Sequence, residues 1–216
     1  MFDFVIADWH LGATPLRLAA MRRPFSNERD LFSSIKGRHN AIVNPDSRVL
    51  VIGDVVCDSA IDPHYWLDTV KQLNGKKTLI RGNHDRKFEL SEFMDVFDIV
   101  IPEGDGIEFE AKSDLSCFSE TPCFATHYPT RGRMDRFNIT GHVHDAWRYQ
   151  LNMLNVGCDV QFFTPLPVAK IPFFLKSIEE FYDDDAWAAY LPINAIYQDR
   201  RGKKGSRFPE KDDEGI

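Results

Sequence analysis

The residues able to do chemistry fall into five short blocks: Asp8-Trp9-His10, Gly53-Asp54, Gly82-Asn83-His84-Asp85, His127 and Gly141-His142-Val143-His144. Five of the seven histidines (His10, His84, His127, His142, His144) lie in these blocks. A single such histidine is more often a packed core or surface residue than a ligand, but five in the same kind of place point to metal. A mixture of imidazole nitrogens and carboxylate oxygens suits Mn, Fe, Zn or Ni. Two such ions roughly 3.5–4 Å apart lower the pKa of a shared water and clamp phosphoryl oxygens during in-line displacement. Those are the two requirements for hydrolysing a phosphate ester at neutral pH. The pair needs a bridging carboxylate, which Asp54 can supply, with Asp8 and the imidazoles completing the set.

Each block must be held by something rigid, and each follows a short apolar run. Residues 4–7, 48–52, 78–80, 123–126 and 137–140 read as strands buried on both faces. The blocks then sit at the carboxyl ends of strands, where ligand sites form in α/β sheets. Helical patterns separate the first three strands. Leu31, Ile35 and Ile42 mark one over 27–42, which the Asn44-Pro45-Asp46 turn ends. Asp62-Pro63 reads as an N-cap with proline in the first turn, and Trp66, Val70 and Leu73 line one face before Asn74-Gly75. Strand-helix alternation of this kind predicts a partly parallel sheet with crossover helices. From about residue 97 the runs at 97–101, 107–110 and 153–156 predict mostly hairpin-linked sheet.

The 216 residues, 43% hydrophobic and 27% charged, fit one α/β domain over 1–198. Residues 199–216 are dominated by Arg200, Arg201, Lys203 and Lys204 and then by Glu210 to Glu214, and predict a solvated, disordered tail. The net charge of −7 argues against duplex nucleic acid as a partner. A small phosphorylated substrate remains compatible, because local charge can oppose net charge. Four cysteines without a CxxC pair predict free, mostly buried thiols in a reducing compartment. No apolar run approaches the ~20 residues needed to span a bilayer. The first block begins at Asp8 with no basic segment before it, so a signal peptide is not expected and the predicted location is cytoplasmic.

Taken in order, the five blocks resemble the signature of calcineurin-like metallophosphoesterases over residues 1 to about 170. Arg23-Pro24-Phe25 and Asn155-Val156-Gly157-Cys158-Asp159 resemble a small bacterial and phage-encoded branch of that family. The resemblance implies a two-sheet α/β/β/α sandwich and two divalent ions, manganese first among the candidates. One ion would be held by Asp8, His10, Asp54 and His144, the other by Asp54, Asn83, His127 and His142. His84 is implied to face the scissile phosphate and assist the leaving group, oriented by Asp85. The sequence departs from the branch at Ala13, where a further histidine is usual, and that touches substrate contacts rather than the metals.

Weaker signals surround this set. Arg131 and Arg133, with Arg136, lie between the last two blocks, where a guanidinium could grip a phosphate; a solvated basic loop is the more ordinary reading. Arg81 is divided between a substrate contact and a structural ion pair, and Tyr128 between base stacking and packing. His39 and His64 receive no role. Asp58 and Asp159 are candidate partners for ligand histidines, or simply turn residues. The expected activity is metal-dependent hydrolysis of a phosphate mono- or diester. The alternatives are a catalytically inactive metal-binding or interaction module of the same fold, disfavoured by the intact His84 and Asp85, and a nuclease, which would need a further DNA-engaging domain.

Overall fold

The computed structural model describes residues 1–181. The tail expected over 199–216, and the end of the domain expected over 1–198, lie outside the described residues. Ten strands form two five-stranded sheets. In the first, β1 (Phe4–Ile6), β2 (Arg48–Ile52), β3 (Lys76–Ile80) and β4 (Ile99–Ile101) run parallel in that order, and β10 (Leu166–Pro167) lies antiparallel against β1. Every residue of β2 except Arg48 is buried. Val49 and Val51 join a core shared with helices α2 (Glu28–Ile42) and α3 (Pro63–Asp68), through Leu31, Ile35 and Trp66. Leu50 and Ile52, equally buried, point by alternation to the opposite face.

The helices begin where the sequence signals them. Asn27 Oδ1 accepts the backbone N–H groups of Arg29 and Asp30 at the start of α2, and Leu31, Ile35 and His39 form its buried stripe. Asp62 caps α3 by accepting from the Tyr65 N–H, with Pro63 in the first turn, and a 3₁₀ turn over Thr69–Gln72 continues it. The short helices α1 (Pro15–Ala20) and α4 (Leu90–Met94), strand β10 and helix α5 (Ile171–Phe181) have no counterpart in the sequence reading. None of the described helices is long and apolar enough to cross a membrane.

The second sheet has the order β5 (Gly106–Ala111), β6 (Thr121–Thr126), β7 (Phe137–Thr140), β9 (Met153–Asn155), β8 (Tyr149–Gln150). It corrects the expectation of hairpins. Only β5–β6 and β8–β9 are antiparallel, whereas β6–β7 and β7–β9 are parallel, as is β3–β4. The physical reason is burial: all four residues of β7 are buried, and parallel strands covered on both faces accommodate such runs. Short connections suggested hairpins, but apolar periodicity carries no strand direction. The two sheets meet beyond the end of β1. There the Ala7 N–H donates to Val156 O (3.0 Å) and the Cys158 N–H to Ala7 O (3.0 Å). Cys57, Cys123 and Cys158 are buried free thiols, and Cys117 is exposed.

Candidate metal centre

All five blocks converge at this junction. Asp54 belongs to two groups of potential ligands, His10–Asp54–His84 and Asp54–His127–His142, each with donor atoms within 4.8 Å of one another. Its Oδ2 lies 3.6 Å from His10 Nε2 and 3.4 Å from His127 Nε2, and its Oδ1 accepts the His84 backbone N–H at 2.9 Å. His144 stacks on His10 with ring centroids 4.9 Å apart, and Asn83 Oδ1 lies 3.2 Å from His127 Nε2. Both Asp8 oxygens accept the His142 N–H, at 3.1 and 2.9 Å, and Asp8 Oδ1 is 3.9 Å from His127 Nδ1. The structure thus brings together Asp8, His10, Asp54, Asn83, His127, His142 and His144, with His84 beside them.

The backbone is bent to do this. Eight non-glycine residues among those described have positive φ, and five are Asp8, His10, Asp54, His142 and His144. L-residues avoid this region, and each such residue costs of order 1–3 kcal/mol in strain. The bends turn successive side chains inward just past the strand ends. Gly82 makes the approach possible: a Cβ there would fall 2.2 Å from Asp54 Oδ1. At Gly53, with φ of +77°, it would fall 2.4 Å from His127 Nδ1.

The electrostatics fit a cation. Burial pushes the His10 pKa well below its ordinary value, and both its ring nitrogens are buried without a hydrogen-bond partner. A buried neutral imidazole with two unsatisfied nitrogens is costly unless something binds there. Burial also raises Asp8 to about 6, the neighbouring Asp54 charge adding to the effect. Against the opposing effect of burial, the hydrogen bond and charge of Asp54 raise His127 to about 9, and His127 holds Asp54 well below the carboxylate range. A proton on His127 therefore balances Asp54. Two further imidazoles are tied through Nδ1: His127 to Ile52 O (3.0 Å) and His144 to Asp159 Oδ2 (3.0 Å). Donation from Nδ1 leaves Nε2 as the ligand atom, the usual arrangement of metal-binding histidines.

Several expected roles are redistributed. Asp85 does not orient the His84 ring. Its carboxylate is buried and accepts the backbone N–H groups of Asp54 (2.9 Å), Val55 (2.9 Å) and Gly82 (2.8 Å). Burial, then the Asp54 charge, raises its pKa to about 7. Asp85 is thus the brace between the second and third blocks, because loops bent this sharply leave N–H groups that need an acceptor. The carboxylate beside the His84 ring is Asp58, whose Oδ1 is 3.6 Å from His84 Nδ1. Arg81 braces the backbone rather than forming an ion pair: its Nη2 donates to the Asp85 and Phe88 carbonyls at 2.9 Å each. Arg133 pairs with Glu108 and covers the Phe124 ring at 4.2 Å, while Arg131 is exposed, both lining a cleft with Gly104 and Asp105. Neither reaches the ligands through a hydrogen bond. Tyr128 packs edge-on against His127 and His142, centroids 4.9 Å from each, and its hydroxyl donates to Glu103.

The model of the calcineurin-like phosphoesterase family matches residues 4–200. Among solved structures, a protein of unknown function from Aquifex aeolicus aligns with a TM-score of 0.54 at 17% identity, over 79% of this chain and 97% of that one. A novel archaeal phosphodiesterase aligns with a TM-score of 0.39 at 17% identity, over 71% of this chain and 81% of that one. A search of curated proteins gave no match. With the matched segment covering nearly the whole described chain and all five blocks, this protein belongs to the calcineurin-like phosphoesterase family.

Proposed function

We propose that this chain hydrolyses a phosphate mono- or diester of a small, accessible substrate, with two divalent ions held by Asp8, His10, Asp54 and His144 and by Asp54, Asn83, His127 and His142. The observation that carries the reading is Asp54, shared by two donor clusters, beside the buried and unpartnered His10 ring. Bound there, the ions would supply a nucleophile at neutral pH and neutralise charge on the phosphoryl oxygens. The protein's part is positional. Asp85 and the glycines fix the loops, and Ile52 O and Asp159 set which nitrogens of His127 and His144 face inward. His84 is held by its backbone N–H on Asp54, with Asp58 Oδ1 3.6 Å from its Nδ1, and its side chain keeps 14% exposure. From there its Nε2 can give a proton to the departing oxygen.

Protein reconstituted with manganese should approach two ions per chain, and chelation should abolish hydrolysis. A panel of aryl monoesters, diesters, cyclic nucleotides and nucleotides would identify the substrate class. Full activity at a saturated stoichiometry of one ion would overturn the dinuclear reading. Two bound ions with no turnover on any substrate would favour the non-catalytic module.

Metal uptake should also release protons. A ligating imidazole must be neutral and a ligating carboxylate ionised. His127, raised to about 9, holds its proton at pH 7, and Asp8, raised to about 6, holds one increasingly below that. Both shifts keep protons on the ligands as pH falls, so metal affinity should rise with pH towards 9. Between pH 7 and 9 the His127 proton alone predicts about tenfold per pH unit. Calorimetry in two buffers of different ionisation enthalpy would count the proton released at pH 7, and a count of zero would contradict the His127–Asp54 pairing.

A further inference from the structure

Two stretches singled out in the sequence hold no ligand: Arg23-Pro24-Phe25 before α2, and Asn155-Val156-Gly157-Cys158-Asp159 after β7 and its partner β9. The fold joins them. The Arg23 side chain is fully buried and meets Asp159 through two parallel hydrogen bonds, Nε to Oδ1 at 2.8 Å and Nη2 to Oδ2 at 2.9 Å. Two more of its donors go to backbone carbonyls, Nη1 to Trp9 O and Nη2 to Asp8 O, each at 2.7 Å. The guanidinium carbon lies 5.5 Å from the centre of the Phe163 ring, which itself packs on Phe25 at 4.8 Å. Asp159 Oδ2 also accepts from His144 Nδ1, and Asn155 Nδ2 donates to His144 O at 2.8 Å. One buried cation therefore ties the Asp8-Trp9-His10 turn to the ring of His144.

Stability alone is a poor explanation for this arrangement. Desolvating a guanidinium and a carboxylate is costly, and apolar residues of similar volume often fold as well or better. What apolar residues cannot do is aim hydrogen bonds. Asp8 and His10 sit at φ of +58° and +49°, a conformation that needs external support. The two carbonyls accepting from Arg23 are those of Asp8 and Trp9, within that turn. Arginine suits the task because its rigid fork serves two carboxylate oxygens and two carbonyls together; a lysine ammonium has three donors and no fork.

We infer that Arg23 is a positioning residue for the half of the metal centre made by Asp8, His10 and His144, acting on His144 through Asp159 and on the Asp8-Trp9-His10 turn through its carbonyls. The inference rests on the proposed function in taking these three residues as ligands. Partners that orient metal-binding histidines typically contribute 10–100-fold in metal affinity.

The test uses the full chain and manganese titration. The double substitution Arg23→Met/Asp159→Leu removes the pair without leaving a buried charge alone, and Arg23→Lys keeps the charge but loses the fork. Thermal unfolding of the metal-free proteins reports which variants fold. In each folded variant one of two ions should bind about 10–100-fold more weakly, with the other unchanged. Equal weakening of both ions, or of neither, would overturn the inference. Nitrogen NMR of the metal-free imidazoles supplies a readout independent of metal. His144 should be fixed as the Nδ1–H tautomer in the parent and become a tautomer mixture in Arg23→Lys, where Asp159 is still present to accept from Nδ1. If the parent binds no manganese, the proposed function fails, and the His144 signal alone then decides on Arg23. An unchanged His144 signal in Arg23→Lys would overturn the positioning role.

Discussion

Replacing Asp54 by alanine is expected to strip the centre of metal and bring hydrolysis to the level of the chelated protein. Among the described residues, Asp54 is the carboxylate common to both donor clusters, 3.6 Å from His10 Nε2 and 3.4 Å from His127 Nε2. On the proposed ligand assignment its loss would remove a ligand from both ions at once, so metal content should fall from two to below one per chain. A second effect follows without metal. The Asp54→Ala change leaves the His127 proton buried without its partner, and removes the acceptor of the His84 N–H. Breaking a buried pair this way costs about 3–5 kcal/mol, and the low end applies because His127 can shed its proton. Asp54→Asn separates the two effects. It keeps the volume and an acceptor for the His84 N–H while losing the charge, so its fold should persist while its metal does not. Metal analysis beside thermal unfolding of both variants gives the answer, and two ions retained in either would remove Asp54 from the bridge.

The residues proposed as ligands could be picked out of the sequence because their signal is local. An apolar run followed by Gly-Asp or Asp-x-His marks a strand end with a donor on it, and the parallel strands bring such ends to one edge. What the sequence hid is the way those ends bend. Positive φ at Asp8, His10, Asp54, His142 and His144 has no compositional mark, since none is glycine. The partners of the ligands were hidden for a related reason. Asp85, beside His84 in sequence, turns away to collect three backbone N–H groups, whereas Asp58, reached across the fold, lies next to the ring. Adjacent residues in a tight 3₁₀ turn, here Asn83–Lys87, point in different directions, so neighbourhood in the chain does not imply contact. Arg81, which the sequence left open between a substrate contact and a structural ion pair, closes that turn, its Nη2 donating to Asp85 O and Phe88 O. In the second sheet β5, β6, β7 and β9 were visible, but the two-residue β8 and the direction of the strands were not. The connection between β6 and β7 is long enough, with its 3₁₀ turn over Pro129–Arg131, to return the chain for parallel pairing.

His84→Ala should keep both metals and the fold while turnover falls by ~10²–10⁴-fold. The His84 backbone N–H, not its ring, holds Asp54 Oδ1, so truncating the side chain leaves that contact in place. Nothing in the ion pairs of Asp54 with His10 and His127 depends on the His84 ring. The leaving group then distinguishes proton donation from charge stabilisation. A nitrophenyl ester departs without needing a proton, so the defect should shrink there and grow with alkyl esters. Asp58→Asn should show the same trend in weaker form, because Asp58 belongs to neither donor cluster and its Oδ1 lies 3.6 Å from His84 Nδ1. Equal defects on both kinds of ester would instead place His84 among the groups that stabilise the phosphoryl oxygens. A third outcome is open to the geometry, since a His84 nitrogen lies within 4.8 Å of donor atoms of His10 and Asp54. Loss of one ion in His84→Ala would make it a ligand and refute its role as proton donor. Retention of both ions together with a leaving-group-dependent defect would leave general acid catalysis as the role consistent with each measurement.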